Sequence, residues 1–256
     1  MNSSPYVLPG KISQEIIARQ KISVGNANDI GLYGLVFEEG KGTMLKDVDG
    51  NTFVDFFGGA SVINFGYNHE KLTNTFVRNI KKLQHTCSPY TTNIHQINLS
   101  ETLIKIHPGN YKKKVLLGLC GSDSIDGAIK AALRYTKKNK IISFKDSYHG
   151  STGLSFNATG FAERESIVPG ANSFIHLDYP RTKALENKII KQLSALTIMD
   201  NIAALIIEPI LGDGGIFSPS NNFFVKLQKI CIKNNIVIIV DEIQSGMGRT
   251  GKFWSF

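Results

Sequence analysis

The sequence predicts an α/β fold built on a mainly parallel sheet that is flanked by helices. Three observations predict it. Short, continuous apolar runs recur between residues 115 and 240, amphipathic helical patterns separate them, and polar residues directly follow the runs. Continuously apolar strands are typical of parallel sheets that helices cover on both faces. Ligands bind such sheets at the carboxyl ends of the strands, so the polar residues after the runs are the candidate site.

The first part of the chain shows helical and hairpin signals. Residues 1–30 are polar and have a weak helical pattern, and two strand-like stretches within residues 43–57 flank the tight-turn signal Asp49-Gly50. Apolar residues at helical spacing predict a helix over about residues 72–83 and another over about residues 94–106, which stops before a Pro-Gly pair.

From residue 115 onward, predicted strands and helices alternate. The apolar runs predict strands at residues 115–120, 141–144, 203–207 and 236–240. Helical spacing predicts intervening helices around residues 125–133, 185–196 and 223–231.

Composition excludes several classes of protein. The net charge is +8, but the basic residues are scattered and form no nucleic-acid-binding module. No run reaches the length of a membrane span and no signal peptide is evident, so we expect a cytoplasmic protein. The histidines show no metal-ligand spacing, and no metal is expected. Cys87, Cys120 and Cys231 match no zinc or CxxC pattern and are expected to be reduced and mostly buried.

Gly121-Ser122 follows a predicted strand and opens a predicted helix. Free N–H groups and the helix dipole at such a position favour an anion such as phosphate, and a glycine lets the ligand approach the backbone. Ser122 is also a common type of helix cap, which is the structural alternative to phosphate binding.

Two other strand ends carry candidate ligand-binding groups. Tyr148-His149-Gly150 follows the strand at residues 141–144, where an aromatic ring can stack on a planar cofactor or pack on the sheet. Asp241 follows an apolar strand, so we expect its carboxylate to be buried and paired. A protonated pyridine nitrogen is one suitable partner, and capping of backbone amides is another. A metal pair with Glu242 would require a phosphate-binding GxxxxGK[ST] loop, which the sequence lacks.

Taken together, these segments resemble the class III aminotransferases, which depend on pyridoxal 5′-phosphate (PLP). The resemblance covers roughly residues 30–256, and its segments occur in the family's order. They are residues 66–69, 120–126, 148–150, 206–209, 212–215 and 240–246. The last segment, Val-Asp-Glu-Ile-Gln-Ser-Gly, is similar to the family's Asp-Glu-Val-Gln signature.

The resemblance implies PLP fold type I and a role for each matching residue. Gly121 and Ser122 would bind the cofactor phosphate, Tyr148 would stack on the pyridine ring, and Asp241 would pair with the ring nitrogen. The supporting residues would be Gln244 near the phenolic oxygen, Glu208 in the ring-side polar network, and His149.

The resemblance also implies a domain organisation and an assembly. Residues 1–60 would belong to the small domain, and residues 61–256 would form an incomplete PLP-binding large domain, with the C-terminal domain absent. The full-length form would be a homodimer whose small-molecule substrates are an amino acid and a 2-oxo acid. The composition adds the expectation of no nucleic-acid or membrane partner.

Two departures from the family pattern affect the expected function. The family's Schiff-base lysine lies a few dozen residues beyond the signature, whereas this chain stops at Phe256, so we expect a truncated and inactive chain. Ser151 occupies the position where 4-aminobutyrate and ornithine aminotransferases carry a carboxylate-binding arginine. Residues 148–152 and 212–215 instead resemble the related branched-chain amino-acid epimerases. Aminotransferase is the leading prediction, and the alternatives are a racemase or epimerase and a non-catalytic remnant or half of a split enzyme.

Overall fold

A computed structural model describes residues 8–25, 33–88, 90–161 and 169–256. The chain separates into two compact units, Met1–Asn93 and Ile94–Phe256. The described part of each unit contains its own β-sheet. The expected assignment of residues 1–60 and 61–256 to two domains stays a prediction.

The first unit contains a three-stranded antiparallel sheet in the order β1-β2-β3. Asp49-Gly50 forms the predicted turn between β2 and β3, with Gly50 at a φ of 88°. The carboxylate of Asp49 also accepts hydrogen bonds from the backbone N–H groups of Ile12 and Ser13, so it caps the start of α1. The elements are α1 (Lys11–Ser23), β1 (Phe37–Lys41), β2 (Met44–Asp47), β3 (Thr52–Val54), the short turn α2 (Gly58–Ser61) and α3 (Glu70–Ile80).

The second unit contains a four-stranded, fully parallel sheet in the order β5-β4-β6-β7. Its elements are α4 (Ile94–Ile106), α5 (Gly121–Thr136), β4 (Lys140–Phe144), α6 (Gly153–Ala158), β5 (Phe174–Leu177), α7 (Lys183–Leu196), β6 (Ile202–Ile207), α8 (Asn221–Lys233) and β7 (Val237–Val240). The predicted parallel sheet with flanking helices is therefore confirmed.

The central strand β6 explains why the sheet needs helices on both faces. All six of its residues are buried. Leu205 and Ile207 belong to the apolar cluster that includes residues of α7 and α8, whereas Ala204 and Ile206 belong to the cluster that includes residues of α5. Side chains alternate between the faces of a strand, so a strand that is apolar throughout must be covered on both sides.

The apolar run at residues 115–120 was expected to be a buried strand, and that prediction is wrong. The structure assigns no strand there, and Leu116 and Leu119 are 75% and 99% exposed. A strand requires a neighbouring strand for its backbone hydrogen bonds. None of the described strands pairs with this segment, and an apolar pattern cannot reveal whether such a partner exists.

Two strands were not predicted, and both have weak sequence signals. β1 contains two glutamates and a lysine and is largely exposed. β5 is only four residues long, contains His176 and lies at the edge of its sheet. Edge strands bury less surface than central strands, so their apolar patterns are weaker.

The expectation that the cysteines are mostly buried is wrong for two of the three. Cys87 and Cys120 are exposed and Cys231 is buried, and all three are free thiols. In the described ranges, no helix has both the length and the apolar character needed to cross a membrane. Within those same ranges, no group of three or more His, Cys, Asp or Glu side chains could hold a metal ion.

Candidate active site

The candidate site lies at the carboxyl edge of the parallel sheet, within the second unit. The strand β4 leads into the loop that carries Tyr148 and His149, β6 ends at Glu208, and β7 ends at Asp241. Because neighbouring parallel strands end at the same edge, residues that are distant in sequence meet there.

Asp241 and His149 form a buried pair. Nδ1 of His149 lies 2.7 Å from Oδ2 of Asp241, and the two residues are only 1% and 4% exposed. The second carboxylate oxygen of Asp241 accepts a hydrogen bond from the backbone N–H of Ile243. Burial of Asp241 was predicted and is confirmed. Amide capping, one of the two partners considered for Asp241, is also present.

Nε2 of His149 is buried and has no hydrogen-bond partner among the described residues. The backbone of His149 is also held, because its N–H donates to Oγ1 of Thr159 at 3.0 Å. That same hydroxyl donates to the carbonyl of Gly150 at 2.9 Å. Thr159 therefore fixes the loop that orients His149, and no feature of the sequence pointed to this role.

Glu208 joins two loops at the sheet edge. One of its carboxylate oxygens accepts from the backbone N–H of Tyr148 and the other accepts from that of Gly212, both at 2.9 Å. Burial raises the pKa of Glu208 above its ordinary value, although these two hydrogen bonds and the nearby His149 act in the opposite direction. Glu208 therefore fixes the backbone beside Tyr148, whose side chain is 40% exposed.

The segment that was predicted to bind phosphate begins the sixteen-residue helix α5. The backbone N–H groups of Gly121 and Ser122 have no acceptor within the described part of the chain. Free N–H groups at a helix start can bind an anion. The idea that Ser122 caps this helix is wrong: Cys120 is at the cap position, and Oγ of Ser122 instead accepts from the N–H of Ser151 at 3.1 Å.

Two close contacts bring the remaining predicted residues to the same place. A Cβ added to Gly212 would lie 1.7 Å from Oε1 of Gln244, so the Gln244 amide packs directly on the Gly212 backbone. A Cβ added to Gly121 would lie 2.9 Å from the Ile243 side chain, two residues after Asp241. The structure thus joins every predicted site residue in one network, while their roles toward a ligand stay predictions.

Gly150 is essential to this network because its backbone allows no side chain. Its φ is 139°, and an added Cβ would lie 2.5 Å from Oγ of Ser122 and 2.6 Å from Oγ of Ser155. We expect Gly150→Ala to destabilise the chain by about 2 kcal/mol more than Gly251→Ala. Both substitutions force an alanine into a positive φ, but only the new Cβ at position 150 collides with neighbouring atoms. Gly251 has a φ of 86° and nothing within 4 Å of an added Cβ. Urea unfolding of the two variants measures the difference, and equal midpoints would contradict the role of Gly150.

The residues present fit a cofactor that combines a phosphate with a nitrogen-containing ring. The start of α5 offers unused N–H groups next to a glycine, as a phosphate requires. Asp241 offers a buried carboxylate that His149 holds in place, as a protonated ring nitrogen requires. Ser122 and Ser151 connect the first group to the loop of Tyr148, whose side chain is 40% exposed.

The sequence matches a known protein family over nearly its whole length. Residues 26–256 match the family "Aminotransferase class-III". The chain belongs to the class III aminotransferase family. The resemblance expected from the sequence motifs is therefore confirmed over nearly the whole chain.

Relatives of this class III chain include both racemases and aminotransferases. It is 37% identical over 246 residues to the isoleucine 2-epimerase of Lentilactobacillus buchneri, covering 88% of this chain and 54% of that protein. It is 33% identical over 267 residues to the alanine/serine racemase of Pyrococcus horikoshii, with coverage of 96% and 56%. It is 30% identical over 254 residues to the 5-aminovalerate aminotransferase of Pseudomonas aeruginosa, with coverage of 96% and 59%.

Solved structures confirm the fold of this class III chain. A transaminase from the marine bacterium Virgibacillus superposes with a TM-score of 0.85 at 26% identity, over 94% of this chain and 58% of that one. The predicted fold type I is therefore confirmed. The chain spans 54–59% of the length of the relatives named above.

Proposed function

We propose that the full-length protein is a PLP-dependent aminotransferase that moves an amino group from an amino acid to a 2-oxo acid. The observation that carries the proposal is the buried pair of Asp241 and His149 at the end of β7, in a chain of the class III family. A carboxylate held rigidly in a buried place suits a cationic ring nitrogen, because the ion pair offsets the cost of burying the charge.

In this proposal the chain's own residues hold and orient the cofactor. The N–H groups of Gly121 and Ser122 bind its phosphate, Tyr148 covers one face of its ring, and Asp241 keeps the ring nitrogen protonated. Gln244 donates a hydrogen bond near the phenolic oxygen. PLP supplies an electron-withdrawing ring that makes the α-proton of a bound amino acid removable.

A racemase or epimerase is the second candidate function, and two observations favour it. Ser151 stands where ω-amino-acid aminotransferases carry a carboxylate-binding arginine, and Gly212-Asp213-Gly214-Gly215 resembles the epimerase segment. The relatives include an isoleucine 2-epimerase and an alanine/serine racemase. Both reactions begin with removal of the α-proton, and they differ in where the amino group and the proton go next.

One assay distinguishes the two candidates on the full-length protein loaded with PLP. L-Isoleucine and L-alanine are incubated in deuterated water, with and without 2-oxoglutarate. An aminotransferase forms glutamate and the matching 2-oxo acid only when 2-oxoglutarate is present. An epimerase forms deuterated D-alanine or D-allo-isoleucine without it. Inversion without transfer would replace the first candidate by the second, and the absence of both reactions would reject the proposed function.

We predict that the 256-residue chain alone does not turn over any amino acid, even with an excess of PLP. Covalent catalysis with PLP needs a lysine amine at the cofactor. In the described structure, no lysine is among the hydrogen-bond partners of Asp241, His149 or Glu208. The assay above measures turnover of the purified chain beside the full-length protein. Turnover by the 256-residue chain would show that one of its own lysines supplies the amine at the cofactor, or that the reaction needs no such lysine.

We also propose an oligomeric state and a location for the enzyme. Its active form is a homodimer, as the resemblance to class III enzymes implies, and we propose that it acts in the cytoplasm. Light scattering of the full-length protein after size exclusion measures the mass, and a stable monomer with full activity would reject the dimer.

A further inference from the structure

The loop that follows β6, residues 208–217, is held by groups from the segment after β5. The loop closes on itself through a hydrogen bond from the N–H of Leu211 to the carbonyl of Phe217, at 2.8 Å. Hydroxyl and guanidinium groups of Tyr179 and Arg181 then join the loop to the rest of the unit. Neither side chain is among the residues that the sequence motifs single out.

Tyr179 anchors both ends of this loop. Its buried hydroxyl lies 2.9 Å from the carbonyl oxygen of Glu208 and 3.3 Å from that of Phe217. Burial raises the pKa of Tyr179, so the hydroxyl keeps its proton and acts as a donor. The ends of the loop are therefore fixed independently of its middle.

Arg181 holds the middle of the loop. Its Nη2 lies 2.7 Å from Oδ2 of Asp146 and 3.1 Å from the carbonyl oxygen of Gly214, and its guanidinium lies 5.0 Å from the centre of the Phe217 ring. One planar cation thus joins the loop after β4, through Asp146, to the loop after β6. We name these four residues, Asp146, Arg181, Gly214 and Phe217, the arginine clamp.

The two loops joined by the arginine clamp already touch through their backbones. A Cβ added to Gly214 would lie 2.5 Å from the carbonyl oxygen of Asp146 and 2.5 Å from the Leu211 side chain. This close packing restricts movement of the loop as long as the contacts of the arginine clamp are present. Loss of the guanidinium removes the polar and ring contacts but leaves this packing, so the loop loosens rather than unfolds.

The side of the same loop that contacts Glu208 and Gln244, which we call its inner side, belongs to the candidate active site. The N–H of Gly212 donates to Glu208, and its Cα packs on the Gln244 amide. Asp213, which is exposed, lies between Gly212 and the clamped Gly214. A shift of Gly214 therefore moves Asp213 and the backbone that contacts Gln244.

We propose that Arg181 is a positioning residue that sets the placement of residues 212–215 beside Gln244, and so controls how tightly the site holds its amino-acid substrate. The inference rests on the proposed function, since it assumes that the inner side of this loop faces the substrate. Arg181 acts through Gly214 and does not touch the substrate.

The first test measures the loop without any need for activity. Amide hydrogen exchange is followed in full-length wild type, Arg181→Ala, Arg181→Lys and Lys188→Ala. Lys188 is a matched control, because it forms a surface ion pair with Asp178 at 2.9 Å that involves no residue of the loop. We expect exchange at Gly215 and Ile216, in the middle of the loop, to rise about tenfold in Arg181→Ala, as loss of a partly exposed ion pair, a hydrogen bond and a cation–π contact implies.

The second test separates positioning from a purely structural role. With L-isoleucine or L-alanine as the amino acid, Arg181→Ala should raise KM about tenfold while kcat changes less than about twofold, because uniform binding is lost. Arg181→Lys keeps the charge near Asp146 but lacks the planar fork, so it should restore part of the wild-type KM. Lys188→Ala should leave KM unchanged, and the PLP content should be equal in all variants.

The exchange measurement tests the clamp, and the KM measurement tests the positioning role of Arg181. Unchanged loop exchange in Arg181→Ala overturns the clamp, whatever the activity. Faster exchange with an unchanged KM overturns the positioning role and leaves the clamp as a structural feature. An inactive wild type rejects the proposed function, and with it the positioning role, while the exchange measurement still tests the clamp.

Discussion

Replacing Asp241 by alanine in the full-length protein is expected to lower turnover by about a hundredfold to a thousandfold, which is typical when a preorganised charge is removed from a catalytic site. The carboxylate is 4% exposed and is oriented by His149 at 2.7 Å, so neither water nor a neighbouring side chain can readily take its place. Turnover, PLP absorbance and circular dichroism are measured together, because the change also leaves Nδ1 of His149 without its acceptor.

Asp178→Ala is the matched control for this experiment. Asp178 also directly follows a strand of the parallel sheet, but it forms surface ion pairs with Lys145 and Lys188. Those two lysines lower its pKa, as expected for a partly exposed carboxylate with two cationic partners. We expect the control variant to keep nearly full activity. Near-normal turnover of a folded, PLP-loaded Asp241→Ala variant would contradict the assignment of Asp241 to the ring nitrogen.

The full-length enzyme is expected to prefer isoleucine or alanine over 4-aminobutyrate by roughly a hundredfold in kcat/KM, the size of effect expected when a buried charge lacks its partner. Ser151 is exposed, and its backbone N–H donates to Ser122 beside the predicted phosphate site. A serine hydroxyl at this position cannot replace the charge of a planar arginine fork. Competition assays with the three substrates measure the preference. A preference for 4-aminobutyrate would instead assign the protein to the ω-amino-acid aminotransferases.

Ser151→Arg tests the same position from the other direction. If Ser151 occupies the carboxylate-anchoring position, the new arginine should raise activity on 4-aminobutyrate by about tenfold or more, a typical gain for one charged hydrogen bond. Ser194→Arg adds the same charge on the exposed surface of α7 and should have no such effect. No gain from Ser151→Arg would mean that the anchoring position lies elsewhere.

Much of the site could be predicted from the sequence because the end of each apolar run marks the end of a strand. Apolar runs that stop at Glu208 and Asp241 mark the carboxyl ends of β6 and β7, and a parallel sheet brings such ends to one edge. A glycine followed by small polar residues at the start of α5 marks the predicted phosphate position for a similar local reason. These predictions needed only periodicity and the chemistry of the residues after each run.

The residues that support the site were not predictable in the same way. Thr159 holds His149 and Gly150 through its hydroxyl, and Arg181 reaches two loops at once. Both are common surface residue types, and nothing in their local sequence distinguishes them from other threonines and arginines. Their roles depend on which loops the folded chain brings within hydrogen-bond distance.

The sequence by itself determined the parallel α/β class, the order of the helices and central strands, and the residues at the strand ends. Those features follow from local periodicity and from the burial of apolar runs. Only the tertiary structure decided that Asp241 pairs with His149, that Ser122 binds the backbone of Ser151 rather than capping its helix, and that residues 115–120 form no strand. Each of these depends on the partner that a hydrogen-bonding group meets after folding, and a linear pattern does not contain that information.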